Sequence, residues 1–126
     1  MSKNEEYIMN ILLKENIHFE REKSFQDLKK GKYRFDFYIP NLNGLQYIIE
    51  IDGEQHFQKV EKFQKTKTDF LKQQEHDRIK DSYCLANNIF LYRIPYWELK
   101  NIHTFKDILN NRFKVKNKWH NDNIRR

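Results

Sequence analysis

Two apolar stretches joined by a short polar turn constrain the fold more than any other feature of the sequence. Residues 33–40 and 45–52 are rich in aromatic and β-branched side chains, which is typical of β-strands. Asn41-Leu42-Asn43-Gly44 separates them, and Asn and Gly tolerate the positive φ angles of a hairpin turn. We therefore predict two antiparallel strands that are neighbours in one sheet.

The rest of the chain alternates helical and strand patterns. Ser2-Lys3-Asn4-Glu5 has the S-x-x-E form of a capping box, which is typical of a helix start. Residues 59–74 are polar and predict either a mobile loop or an exposed helix. The predicted elements are a helix at residues 3–16, a short strand at 17–25, the strands 33–40 and 45–52, a helix at 75–87, a strand at 89–95 that is buried on both faces, and a helix at 104–113.

This order of elements predicts an α/β fold, namely a single-domain α/β/α sandwich with a mixed β-sheet. The 126 residues fit one domain. Charge is distributed unevenly, because residues 112–126 carry six basic residues against one acid, a net +5 of the total +6. We therefore divide the chain into a folded domain of residues 1–111 and a basic C-terminal tail of residues 112–126. That tail is either a solvated segment or a nucleic-acid contact.

The sequence also excludes several classes of protein. Its one cysteine, Cys84, cannot form an intramolecular disulfide and does not fit the usual zinc-finger spacings. No apolar run approaches the ~20 residues of a membrane span, and the N-terminus lacks the core of a signal peptide. We therefore expect no membrane partner and a reducing compartment, the cytoplasm.

Three acids interrupt the two apolar strands. Alternate side chains of a strand share a face, so Asp36 is predicted on the face opposite Phe35 and Phe37, while Glu50 and Asp52 share a face of the next strand. If the two faces that carry acids coincide, the three carboxylates lie together and suit Mg²⁺ or Mn²⁺. In the alternative interpretation they are ordinary solvent-facing acids of a half-exposed hairpin.

Two runs of residues around these acids carry a resemblance to a known family. They are Arg34-Phe35-Asp36-Phe37-Tyr38-Ile39-Pro40 and Ile48-Ile49-Glu50-Ile51-Asp52-Gly53-Glu54-Gln55-His56-Phe57. The sequence thereby resembles the PD-(D/E)XK nuclease superfamily, and within it the branch related to very-short-patch-repair endonucleases and EDxHD homing endonucleases. The resemblance implies a restriction-endonuclease-like fold for residues 1–111 and the activity of a Mg²⁺-dependent DNA endonuclease, with Mn²⁺ as a substitute.

The resemblance assigns the metal to the acids of the two strands. Asp36 matches the principal metal-binding aspartate, and Glu50 matches the second ligand. Apart from the resemblance, we expect Asp52 to be a further ligand, either directly or through water. The superfamily's motif usually ends in Lys two residues after the second acid, where this chain has Asp52. The EDxHD-like branch shares this departure. It shifts the role of general base to His56, because an imidazole with a pKa near ~6.5 can transfer protons at neutral pH.

Other residues match the remaining positions of the EDxHD pattern. Asp77 matches its final aspartate, which orients the histidine or a metal-bound water. The leading glutamate falls on the first helix, where Glu5 fits best and Glu6 is the alternative. Basic side chains are expected to hold DNA phosphates, and the candidates are Arg34, Lys80, Lys114, Lys116 and Lys118.

Two questions about function stay open at this point. One domain carries one such site, so a monomer is expected to nick DNA and a homodimer to cleave both strands. RNA is an alternative substrate. The rival hypothesis from another class of protein is a non-catalytic nucleic-acid-binding module that retains the nuclease fold. Binding of a divalent metal separates the two hypotheses.

Overall fold

The computed structural model describes residues 1–53 and 67–116. Two predicted site residues, His56 and Lys118, lie outside these described residues. The helices are α1 (Lys3–Lys14), α2 (Lys67–Ala86) and α3 (Phe105–Ile108), and the strands are β1 (Glu20–Ser24), β2 (Arg34–Leu42), β3 (Leu45–Asp52) and β4 (Ile89–Pro95). Short 3-10 turns occupy Lys29–Gly31, Tyr96–Asn101 and Asn111–Phe113. No helix in the described residues is long and apolar enough to cross a membrane.

The four strands form one mixed sheet in the order β1-β2-β3-β4. β2 is antiparallel to both β1 and β3, whereas β3 and β4 are parallel and are connected through α2. The predicted hairpin is confirmed. Its turn is shorter than predicted, because β2 continues to Leu42 and only Asn43 and Gly44 turn the chain, with φ angles of 55° and 83°. Both residue types adopt this left-handed region at low cost, which explains the tight reversal.

Each face of the sheet carries its own apolar cluster. On one face, Ile8 and Leu12 of α1 pack with Phe37, Ile49 and Ile94, and the C-terminal turns complete this cluster. The other face carries a smaller cluster, whose buried members are Leu28, Phe35, Tyr38, Ile48, Cys84, Ile89 and Leu91. Helices therefore cover both faces, and the predicted mixed α/β class is confirmed. The likeness to restriction endonucleases stays a prediction.

The helix α1 begins where the capping box predicts. The Ser2 hydroxyl accepts a hydrogen bond from the Glu5 backbone N–H at 3.1 Å, which satisfies a donor that the first turn leaves unpaired. Ile8, Ile11 and Leu12 are buried at helical spacing. The helix ends at Lys14 rather than at residue 16.

The helix α2 is already present at Lys67, the first described residue of this segment, well before the predicted start at residue 75. Its first half carries few buried residues, and Phe70 and Leu71 are exposed, so the apolar periodicity that marks a packed helix is weak there. Lys, Gln, Glu and Leu nevertheless favour the helix intrinsically. Within the described residues the predicted polar segment is thus helical from Lys67 onward, and residues 59–66 lie outside them.

The last predicted helix, residues 104–113, is wrong in its extent. The structure has the single turn α3, capped by Thr104, and then a separate 3-10 turn at Asn111–Phe113. Asn110 causes the break, because its backbone is extended and its side chain accepts a hydrogen bond from the Arg112 N–H at 3.0 Å. A residue that caps a new turn in this way ends the preceding one.

The chain beyond this turn packs along the free edge of β4. Phe113 is buried in the α1-facing cluster. Lys114 forms an antiparallel bridge with Tyr92, and the Val115 N–H donates to the Leu91 carbonyl at 2.8 Å. The described part of the predicted tail is therefore fixed to the sheet.

Candidate functional site

The strand alternation breaks at Asp36. Phe35 belongs to the α2-facing cluster and Phe37 to the α1-facing cluster, so these two side chains do not share a face. The predicted assignment of Phe35 and Phe37 to one face is therefore wrong. The break coincides with Glu22 of β1, the residue across from Asp36, whose φ of 50° departs from a regular strand. The prediction for β3 is confirmed, since Ile48 and Ile49 lie in different clusters.

Asp36 is the most perturbed acid of the region. Its Oδ2 accepts a hydrogen bond from the Ile51 backbone N–H at 2.8 Å. Burial, and next the negative charge of Glu50, raise the pKa of Asp36 to about 7. Glu5 adds to the rise, while the Ile51 hydrogen bond and the charge of Lys80 oppose it. A carboxyl in this setting takes up a proton or a cation far more readily than a solvated one does.

Glu50 is buried and fully paired. Its Oε2 lies 3.0 Å from Lys80 Nζ, and its Oε1 lies 3.3 Å from Arg93 Nη2. Arg93 is the partner of Glu50 in the parallel register of β3 and β4, so the two side chains stand side by side on the α2-facing side of the sheet. Arg93 Nη1 is also 3.1 Å from Asp81 Oδ1. Burial lowers the pKa of Arg93, but the charges of Glu50, Asp81 and Asp77 outweigh it and raise that pKa overall.

Lys80 lies in the site rather than on an open surface. Besides Glu50, its Nζ donates to the Arg34 carbonyl oxygen at 2.7 Å and sits 5.0 Å from the centre of the Phe35 ring. Its side chain is 16% exposed, which leaves little of it for a distant phosphate. The Arg34 residue itself is exposed. The assignment of both cations to phosphate binding stays a prediction.

Of the two candidate glutamates on α1, Glu5 is the one that reaches the site. Its Oε2 lies 3.0 Å from Arg21 Nη2, and its charge contributes to the raised pKa of Asp36. Glu6 is exposed and has no part in the electrostatics of Asp36. Glu5 also accepts a hydrogen bond from the Ser2 hydroxyl at 3.1 Å, so one side chain serves both the helix cap and the site.

Asp52 and Asp77 line an open groove of about 1290 Å³, and neither Asp36 nor Glu50 belongs to its described lining. We call this space the groove; α2 forms one wall, residues 111–116 form the other, and Asp52, Arg93 and Pro95 lie at the strand ends. Asp52 is exposed there, next to Pro95 in the strand register. The expected convergence of Asp36, Glu50 and Asp52 is therefore not found as one cluster.

Arg93 and Asp81 connect the two parts of the site, and neither was predicted from the sequence as a site residue. Arg93 contacts Glu50 with one nitrogen and Asp81 with another, and both residues line the groove beside Asp77. Burial raises the pKa of Asp81, the ion pair with Arg93 opposes this, and Asp77 and Glu50 add to the rise. The signal in the sequence was Arg93 itself, a lone charge within the apolar run of residues 89–95.

Acids outnumber cations in this network. The acids are Glu5, Asp36, Glu50, Asp77 and Asp81, and the cations are Arg21, Lys80 and Arg93. Within residues 1–53 and 67–116, no group of three or more His, Cys, Asp or Glu side chains is arranged to hold a metal ion. The assignment of Asp36 and Glu50 as metal ligands stays a prediction.

Comparison with known proteins places the chain near one viral protein. It is 35% identical over 79 residues to "Uncharacterized protein 307L" of Invertebrate iridescent virus 6. The matched stretch is 61% of this chain and 38% of the viral protein, so the chain spans well under half the length of that relative. No family model and no solved structure matches the chain.

Proposed function

We propose that this protein is a metal-dependent endonuclease that hydrolyses phosphodiester bonds in DNA. The observation that carries the proposal is the state of Asp36, a half-buried carboxyl beside Glu50 that has no cation at ion-pair distance among the described residues. Like charges held together at low dielectric repel unless one is protonated or a cation is bound. A divalent cation is the partner that this arrangement lacks.

The residues present fit Mg²⁺, with Mn²⁺ as a substitute. Mg²⁺ is usually held by one or two carboxylates, with water and substrate phosphate completing its coordination. Asp36 and Glu50 therefore suffice as protein ligands, and a third protein group is not required. When bound, the metal polarises the scissile phosphate and lowers the pKa of its water ligand.

The chain's own residues have distinct roles in this proposal. Lys80 supplies a positive charge at Glu50. In most members of the superfamily, this charge comes from a lysine at the position that Asp52 occupies here. Arg93 holds Glu50 and the α2 residue Asp81 in a fixed relation. His56 takes the proton of the attacking water, a role that rests on the resemblance because His56 lies outside the described residues.

Incubation with supercoiled plasmid DNA, with and without Mg²⁺, tests the proposal. The wild type is expected to nick the plasmid only with metal, and Asp36→Asn to lose this activity while it remains folded. Glu6→Gln is the matched control, because it removes an exposed acid of the neighbouring helix and leaves the site intact. His56→Ala is expected to cleave ~10²–10⁴-fold more slowly with unchanged metal affinity. Normal cleavage by Asp36→Asn would overturn the assignment.

A second candidate function is a non-catalytic nucleic-acid-binding module. The observation that favours it is the pairing of Glu50 with both Lys80 and Arg93, which neutralises the second proposed ligand without any metal. Calorimetric titration with Mn²⁺ separates the two candidates. Binding that is lost in Asp36→Asn supports the nuclease, and the absence of binding in the wild type supports the module.

A further inference from the structure

The two walls of the groove differ in charge. The α2 wall is mixed, since it contains Glu75, Asp77 and Asp81 together with Arg78. The opposite wall, residues 111–116, contains Arg112, Lys114 and Lys116 and has no acid. A polyanion in the groove is therefore attracted to one wall and not to the other.

This cationic wall is held in place by the sheet. The Lys114–Tyr92 bridge and the hydrogen bond from Val115 to Leu91 fix its backbone, and the buried ring of Phe113 anchors its start. A wall fixed in this way loses little conformational entropy when it binds a ligand.

The cations of this wall differ in their freedom. Lys114 is half-buried, and its Nζ sits 4.7 Å from the centre of the Phe90 ring. Arg112 lies over the Phe113 ring at 4.4 Å and pairs with Glu98 at 3.2 Å, but its side chain stays 47% exposed. The Lys116 residue is exposed. Arg112 and Lys116 are thus the two cations best able to contact a ligand.

The size of the groove indicates a polymer rather than a metabolite. Its volume of about 1290 Å³ exceeds the ~300–1,000 Å³ usual for small-molecule sites, and the space is open to solvent. Phe113, the aromatic residue among its described lining, is buried and so offers no exposed face for stacking on a base. The described lining thus offers cations for backbone phosphates, and such contacts carry no sequence information.

We propose that the groove holds the sugar–phosphate backbone of one nucleic-acid strand, gripped by Arg112 and Lys116. The inference rests on the proposed function and adds the path of the substrate. The path meets the network that contains Glu50 at Arg93, which lines the groove and contacts Glu50. Binding in the groove is independent of base sequence and depends strongly on salt.

The test measures binding without cleavage. Fluorescence anisotropy with a fluorescein-labelled single-stranded DNA in EDTA gives the affinity over a range of KCl concentrations, for the wild type and for Arg112→Gln combined with Lys116→Gln. Each lost phosphate contact on a single strand lowers the slope of log affinity against log salt by ~0.7, so the double variant should lose ~1.4. Its affinity at low salt should fall on the order of tenfold.

The matched control is Lys100→Gln combined with Lys106→Gln, which removes the same charge from two exposed positions outside the groove. The single variant Lys116→Gln keeps the ion pair between Arg112 and Glu98. It therefore still tests the groove if the double variant is too unstable to measure. Equal slopes for all variants, an equal loss in the control, or no binding by the wild type would each overturn the inference. Failure of the nuclease proposal alone would give a different result. The wild type would then bind DNA without cleaving it, and the groove variants would still bind more weakly than the wild type.

Discussion

Asp36 and Glu50 belong to paired strands, yet they lie in opposite electrostatic settings. Glu50 is buried between two cations, so its charge is compensated within the fold. Asp36 has one backbone hydrogen bond and two acids nearby, so its charge is not. Removal of the two charges should therefore change stability in opposite directions, which metal-free measurements can detect.

Asp36→Asn should stabilise the metal-free protein at neutral and alkaline pH. The pKa of Asp36 is about 7 in the folded state, against an ordinary value of 3.8 for a solvated aspartate. In the folded state Asp36 thus stays protonated up to a higher pH. Its favourable contribution to the free energy of unfolding is therefore fully present below pH ~4 and is lost as the pH rises to ~7. The variant avoids this loss, which is on the order of 2–4 kcal/mol above pH 7.

Urea unfolding in EDTA at several pH values measures this effect. The difference between Asp36→Asn and wild type should grow between pH ~4 and ~7 and then level off. Glu6→Gln, the exposed control, should show no such growth. A flat difference for Asp36→Asn would mean that this carboxyl is not crowded in solution.

Glu50→Gln should destabilise the protein. The substitution leaves the largely buried cations Lys80 and Arg93 with reduced compensation, and removal of one partner from a buried ion pair typically costs ~3–5 kcal/mol. It also removes a charge that raises the pKa of Asp36, so the pH dependence described above should weaken. Urea unfolding at pH 7 and pH 5 measures both effects. A variant as stable as wild type would show that the network is dispensable for folding.

The irregular point of β1 is the element that sets the position of Asp36. Glu22 adopts a φ of 50°, which costs an L-residue roughly 1–2 kcal/mol and which glycine adopts freely. Glu22→Gly should therefore stabilise the protein by up to ~1 kcal/mol and preserve metal-dependent cleavage. Glu20→Gly is the matched control in the same strand, where glycine should instead destabilise by ~0.5–1 kcal/mol. If urea unfolding showed equal losses of stability in the two variants, the result would contradict a strained backbone at Glu22.

The same elements show what the sequence predicts and what it does not. The hairpin was predictable because Asn43 and Gly44 are residue types that readily adopt the positive φ angles of a tight turn. The break at Asp36 was not, because it depends on Glu22, a residue type that gives no local sign of a positive φ. The ion pairs of Glu50 were likewise invisible, since they depend on the parallel register that brings Arg93 beside it.

At the level of the whole molecule, the described residues after Asn111 belong to the folded body rather than to a free tail. Phe113 is 3% exposed within the α1-facing cluster, and Val115 continues the hydrogen bonding of β4. The predicted boundary between residues 111 and 112 stays a prediction. Two truncations that differ by only five residues can test it.

Truncation after Asn111 should destabilise the protein strongly, whereas truncation after Lys116 should not. The first removes the buried ring of Phe113, and loss of such a side chain typically costs ~3–5 kcal/mol. The second keeps every described contact of this segment and removes three basic residues and one acid, Lys118, Arg125, Arg126 and Asp122. Thermal unfolding of both proteins measures the difference, and DNA affinity should fall less for the protein that ends at Lys116, because it retains the cationic wall of the groove. Equal melting temperatures would show that the body ends at residue 111 and that the packing of Phe113 contributes nothing to stability.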